Sequence, residues 1–315
     1  MKRRKSLTSR VKNLALSHDM DYVGIAPVER FVNAPRGHTP GDILPGATSV
    51  ISMSMKINSG VQLSQRMALH DRRLRHVGFA YRWFGYGLLN MFFMDEAAFL
   101  VARLLEKEGH LAVPVVASGV EDSKNLVGLF SNRHAAVAAG LGDIGWNGLC
   151  LTPGNGPRQR FVSVITTARL EPDPMYSGPR LCDVERCKEL GQGLPLCARV
   201  CPAHLFSDDK TLRVAIGGKE FEYAWMERQK CAYVGSGLYK GALGPETWDM
   251  PEKVDFYIKA EIRNKLPARS SLEPMIYGRG SFCALCLLRC PVGMSKEVDD
   301  IMKAKEENID KKRAY

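Results

Sequence analysis

Cys283, Cys286 and Cys290 stand at C-x2-C-x3-C spacing, and Pro291 follows the third directly. Thiolates this close in sequence can converge on one soft metal centre, and a centre held by thiolates alone takes four of them. A second run ends the same way: Cys182-x4-Cys187-x9-Cys197-x3-Cys201-Pro202. Cys231 lies between the two runs, so eight of the nine cysteines fall between residues 182 and 290, and Cys150 stands apart. Clustered cysteines in a chain without a secretory signal read as ligands before they read as disulfides. Four-thiolate zinc sites also use short spacings, but nothing in them requires a duplicated C-x3-C-P ending. Cys150 reads as a buried free thiol.

Each cysteine group resembles one half of a bacterial two-cluster ferredoxin, in which the last cysteine of each run binds the other run's cluster. That resemblance implies two 4Fe–4S clusters with crossed ligation. One takes Cys182, Cys187, Cys197 and Cys290; the other takes Cys201, Cys231, Cys283 and Cys286. Proline fixes the backbone where the chain leaves for the other cluster and removes a donor there. The x4 and x9 spacings stretch the pattern, and Cys231 stands far from its partners in sequence. Such clusters move single electrons at low potential. An external low-potential donor of ferredoxin or flavodoxin type is then expected, and the rest of the chain must use the electrons or pass them on.

The elements that must position these residues are partly legible. Residues 5–17 read as a helix and 22–26 and 49–53 as strands. Leu88 to Glu108 repeats apolar residues at helical spacing up to the stop signal Gly109. Residues 112–116 read as an edge strand because of Pro114, 133–140 as an Ala-rich helix, and 161–167 as a β-branched strand. Helix and strand mix up to about residue 170, which predicts an α/β or α+β core over 1–170. From 171 periodicity weakens, prolines cluster and the cysteines begin, so 171–294 is assigned to the cysteine module. Residues 295–315, with six basic and six acidic residues, read as a charged, solvated helix.

No apolar run is long enough to cross a bilayer. The first twelve residues carry six basic side chains and no acid, but no apolar segment follows. A leader is therefore not expected, and the chain reads as cytoplasmic with no membrane partner. The net charge is +10, and a second basic cluster spans 70–76. It reads as a solvated face, or as attraction to RNA or a phosphate-bearing cofactor.

The segment from 131 to 168 contains "AAGLGDIGWNGLCLTPGNGPRQR". Gly140, Gly142 and Gly145 match G-x-G-x-x-G, but they follow a helix, whereas a dinucleotide fingerprint follows a strand. Together with the cysteine groups, this stretch resembles the cobalamin-dependent reductases, the epoxyqueuosine reductases and reductive dehalogenases. The resemblance extends over "DYVGIAPVERF", "PGATSVISMSM" and "YGLLNMFFMDEAAFLVARLLEKEGHLAVPV". It implies a nitroreductase-like corrinoid-binding core packed on a ferredoxin-like two-cluster module. The cobalamin would be base-off, consistent with the lack of a D-x-H-x-x-G motif. Gly140, Gly142, Gly145, Trp146 and Asn147 would approach the corrin, with His134 on the pocket wall.

Within the resemblance two branches diverge. Epoxyqueuosine reductases place an aspartate in D-x-x-P ahead of the A-x-x-A-G-L-G run; here those positions are Leu126 and Leu129, and Asp122 is out of register. A tRNA substrate is therefore disfavoured. The dehalogenase branch uses a tyrosine beside a basic residue, a role open to Tyr81 or Tyr86 with Arg133. The expectation is a cytoplasmic, non-respiratory reductase that cleaves a carbon–halogen or carbon–oxygen bond of a small molecule. An electron carrier or corrinoid activator, and a tRNA-acting reductase, remain alternatives.

Overall fold

The computed structural model describes residues 5–119, 121–122, 124–239, 249–255 and 283–313. The basic residues 2–4 lie outside them.

Alternating small and β-branched residues build a four-stranded antiparallel sheet in the order β1 (Tyr22–Pro27), β2 (Ser49–Lys56), β6 (Gln159–Thr166), β3 (Ala112–Val115). Both faces are buried. Ile25, Ile51, Met53, Val162 and Val164 meet α1 (Leu7–Ser17) and α4 (Asp95–Lys107). Ala26, Val50, Phe161 and Ile165 meet α5 (Asn132–Ala138), whose alanines let the helix lie close to the sheet. The result is a mixed α/β layering in which each strand's period-2 pattern feeds two cores. Pro114 sits in edge strand β3, where its missing N–H costs no ladder bond.

α4 is helical because Asp95 and Glu96 occupy its first turn and Ala97, Ala98, Val101, Ala102 and Leu105 share its buried face. It stops before Gly109, which takes φ of +88°. One continuous helix was expected from residue 88. Instead, Tyr81–Gly87 and Leu89–Met94 form wide π-helical turns. Gly85 belongs to the cause: a Cβ there would strike the Tyr81 ring. Such turns are uncommon and recur at functional sites.

The cysteine half is more regular than its sequence suggested. β7 (Phe206–Ile216) and β8 (Lys219–Met226) form a hairpin between Cys201 and Cys231. Its turn is Gly217-Gly218, both at positive φ, a signal present in the sequence and passed over. Ile216, Val214, Phe221 and Tyr223 pack the hairpin onto the α5 core. The short helices α6 (Val184–Leu190), α7 (Leu196–Arg199), α8 (Arg228–Gly235) and α9 (Leu285–Leu288) carry or flank the cysteines. Expected as a solvated tail, α10 (Lys296–Arg313) buries Val298 and Met302 and lies against α3 (Ser59–His70).

The two halves interlock through backbone. A Cβ on Gly156 would overlap the Val292 carbonyl, and one on Gly293 would overlap the Gly156 nitrogen. Arg158, 2% exposed, donates to the carbonyls of Cys290 (2.7 Å), Leu287 (3.4 Å) and Val292. Burial lowers this guanidinium to about 10, so it stays charged at neutral pH.

Gly142 is equally confined, since a Cβ would overlap the Leu151 carbonyl, whereas the space around Gly60 is open. Gly142→Ala is expected to cost about 1–3 kcal/mol in urea unfolding. Gly60→Ala in α3 should be neutral or stabilise by up to about 1 kcal/mol.

Candidate metal centre and adjacent tyrosines

Cys182, Cys187, Cys197 and Cys290 line one cavity of about 300 Å³, together with Gly145, Trp146 and Asn147. The sequence builds this wall locally. Asp183 caps α6 by accepting from Arg186 N–H, which fixes the turn between Cys182 and Cys187. α7 carries Cys197, and Cys290 leaves the end of α9 on the loop held by Arg158. The Trp146 N–H donates to Cys182 Sγ at 3.3 Å, and the Leu196 N–H to Cys187 Sγ at 3.2 Å. Burial pushes the Cys197 thiol up to about 12, and Cys187, Cys182 and Cys290 add to the rise. Among the described residues, no three His, Cys, Asp or Glu side chains converge closely enough for a single metal ion.

The remaining four thiols form a second neighbourhood. Cys201 follows α7, Cys231 lies on α8 with an exposed surface, and Cys283 and Cys286 bracket the start of α9. Burial pushes Cys283 up to about 12, with Cys231 and Cys201 close enough to raise it further. Cys286 is raised as well, by burial and then by Cys283, Cys231, Cys197 and Cys201. Cys197 thus lies within electrostatic reach of both neighbourhoods. Cys150 is buried and unpaired, and burial holds it protonated.

Beside the second neighbourhood, Arg160 on β6 donates from Nη2 to the Tyr81 hydroxyl at 2.7 Å and from Nε to the Gly85 carbonyl at 3.1 Å. Its Cζ stands 4.8 Å from the Tyr86 ring centroid, and the Tyr86 hydroxyl pairs with Ser118 Oγ at 2.9 Å. Tyr81 is 1% exposed. Burial raises its pKa; Arg160 opposes the rise, while Cys286 and Cys283 add to it. The cation beside the tyrosines is therefore Arg160, not Arg133. Arg133 is carried by α5, which covers the opposite sheet face, and it donates to the Gly148 carbonyl at 2.6 Å. Arg160 escaped the sequence reading because the strand was read from 161, two residues after β6 begins at Gln159.

The residues expected around a corrin do not gather on one surface. Gly140, at φ +81°, is packed on the Pro174 carbonyl and Gly142 on that of Leu151. These close approaches are to the chain's own backbone. Gly145, Trp146 and Asn147 face the thiol cavity instead, with Asn147 Oδ1 accepting from Leu149 N–H at 3.2 Å. His134 is half-buried on α5 beside Arg133 and Arg228. Nor does Asp122 replace the missing aspartate. It closes a turn, accepting from the N–H groups of Lys124 and Asn125 and from Asn125 Nδ2, which holds its pKa low. Leu126 takes φ +54° at that turn, and Leu129 is exposed.

No family model matches the chain. Tetrachloroethene reductive dehalogenases of Dehalobacter restrictus and Desulfitobacterium hafniense are 37% identical over 123 residues, 38% of this chain. The match spans 19% of the length of those curated relatives. The fold matches an epoxyqueuosine reductase from Bacillus subtilis with a TM-score of 0.51 at 16% identity, covering 92% of this chain and 66% of that one. It also matches a reductive dehalogenase described for B12-dependent dehalogenation, with a TM-score of 0.50 at 18% identity, covering 88% of this chain and 36% of that one. Over those 123 residues the chain is similar to the reductive dehalogenases, and it shares its fold with an epoxyqueuosine reductase and a reductive dehalogenase.

Burial, then Arg133 and Arg228, lower the His134 pKa from 6.5 to about 4. As pH falls from 6.5 towards 4 the unfolded chain takes up a proton that the folded chain refuses, so stability is lost across that window. Partial exposure screens the effect, which is expected at about 1–3 kcal/mol. His134→Gln should remove this part of the acid loss when urea unfolding is compared near pH 7 and pH 4.5.

Proposed function

We propose that this chain is a corrinoid- and iron–sulfur-dependent reductase of reductive-dehalogenase type, acting on a small molecule at a carbon–halogen or carbon–oxygen bond. The observation that carries this reading is the meeting of Cys182, Cys187 and Cys197 with Cys290, from a distant part of the chain, on one cavity. These four thiols would hold one 4Fe–4S cluster, and Cys201, Cys231, Cys283 and Cys286 the other. Electrons would come from an external low-potential donor of ferredoxin or flavodoxin type. The corrinoid enters through the relatives, one of them described for B12-dependent dehalogenation; when bound, it would supply the low-valent cobalt that accepts the electrons.

The tyrosine pair gives the chain a proton source. Burial keeps Tyr81 a neutral phenol, and Arg160 is placed to stabilise the phenolate left once the proton has gone. Tyr86, paired with Ser118, lies beside the same guanidinium. Asp122 is committed to its turn and leucines stand at 126 and 129, so these positions do not supply the acid expected of a tRNA-modifying relative. The reading therefore favours a small-molecule substrate over tRNA. Residues 1–170 would form the catalytic core and 171–294 the electron-transfer module. In the described residues no helix is long and apolar enough to cross a membrane, and we place the reaction in the cytoplasm.

The first test is anaerobic reconstitution with iron, sulfide and hydroxocobalamin, then desalting. About eight irons and one cobalt per chain are expected. Iron without cobalt would leave an electron carrier. Cys182→Ala and Cys290→Ala should each leave about four irons and the same residual EPR signal, whereas Cys283→Ala should leave the other signal. If the signals sort by sequence run instead, the crossed ligation fails. In a protein that retains cobalt, Tyr81→Phe should lower turnover of a halogenated substrate about 10²–10⁴-fold while leaving iron and cobalt content unchanged.

A further inference from the structure

Arg158 is an unusual residue to find in an interface loop. It is 2% exposed, and among the described residues no carboxylate pairs with it. All its hydrogen bonds go to backbone carbonyls of one short segment, those of Leu287, Cys290 and Val292. A fully buried cation without a counter-charge is costly, and a protein that keeps one has an anion in view. Cys290 and Arg66 are the titratable groups within its electrostatic reach, and Arg66 repels it. The compensating anion is therefore to be sought on the Cys290 side, at the four-thiol cavity.

We propose that Arg158 is a positioning residue that sets the reduction potential of the centre held by Cys182, Cys187, Cys197 and Cys290. This rests on reading those thiols as a cluster site. Reduction adds one electron, delivered by the external low-potential donor, and so one negative charge, to a centre already anionic through its four thiolates. A fixed cation hydrogen-bonded to the backbone of one of the four ligands, Cys290, favours that added charge, and low dielectric strengthens the effect. Its fork also holds the carbonyls of the loop that presents Cys290, orienting a ligand from outside the ligand shell. Among the thiols only Cys290 lies within the electrostatic reach of Arg158, so the effect is expected at one centre.

Arg158→Gln removes the charge and keeps hydrogen-bonding capacity; Arg158→Lys keeps the charge and loses the planar fork. Both variants and the parent are reconstituted anaerobically, iron is counted, and the two EPR signals are titrated against potential. Cys290→Ala identifies the signal that belongs to the cavity. In Arg158→Gln the cavity signal should become about tenfold harder to reduce at a given potential, equivalent to about 59 mV for one electron. The other signal should not move, and Arg158→Lys should stay within about threefold of the parent.

Eight irons with both potentials unchanged in Arg158→Gln would overturn the assignment and leave Arg158 as packing alone. If the glutamine variant loses the cavity cluster, the lysine variant decides. A potential near the parent's supports the charge assignment, and a tenfold drop overturns it. A parent protein that binds no cluster at the cavity would sink the underlying reading instead, and iron counting separates the two failures.

Discussion

The structure depends on one backbone contact, that of the 152–158 loop with the 290–293 loop. Gly156 and Gly293 approach each other with no room for a Cβ on either side. Both stand at positive φ, which glycine adopts at little cost. Neither loop is regular structure, so the carbonyls between Leu287 and Val292 need a partner from elsewhere, and Arg158 is that partner. The contact settles where Cys290 lies. With the packing of α9 against α7, it brings Cys290 to Cys182, Cys187 and Cys197 across more than ninety residues.

From this contact the rest of the arrangement follows through strand β6. Arg158 sits just before the strand, Arg160 near its start, and both reach toward the cysteine-bearing segment or its neighbours. Alternation along an extended chain puts residues two apart on the same side. A single stretch, "RQR", thereby anchors the Cys290 loop and fixes the Tyr81 hydroxyl, with Gln159 between them turned to Thr152 and the Gly156 carbonyl. The Tyr81 hydroxyl and the Cys290 loop are thus held by neighbouring residues at the start of β6.

The sequence made some of this legible and hid the rest for identifiable reasons. The sheet strands and helices α1 and α5 could be read because their burial patterns are local. The cysteine groups stand out because their spacing is itself the signal, and Cys182, Cys187, Cys197 and Cys290 line one cavity. The π-helical turns could not be read, because Leu88 to Leu104 satisfies an α-helical period as well as a wider one. The glycines at 140 and 142 were read as room for a ligand, because an absent Cβ marks a close approach without saying to what. The Tyr81–Arg160 pair joins residues 79 apart in sequence, and no local pattern encodes such a meeting.

The thiol environments also constrain how the centre can be assembled. Burial raises Cys197, Cys283 and Cys286, so in the metal-free chain these thiols hold their protons at neutral pH. Ligation requires thiolates, so each must release a proton as metal enters. A bound metal's positive charge would offset the repulsion between thiolates that adds to the effect of burial. The N–H donors from Trp146 and Leu196 then gain strength, since a hydrogen bond to a charged acceptor exceeds one to a neutral thiol. The same groups that make the empty pocket unfavourable for thiolates are therefore arranged to favour them once a cluster is in place. That difference ties the packing of α6, α7 and the Cys290 loop to the presence of metal.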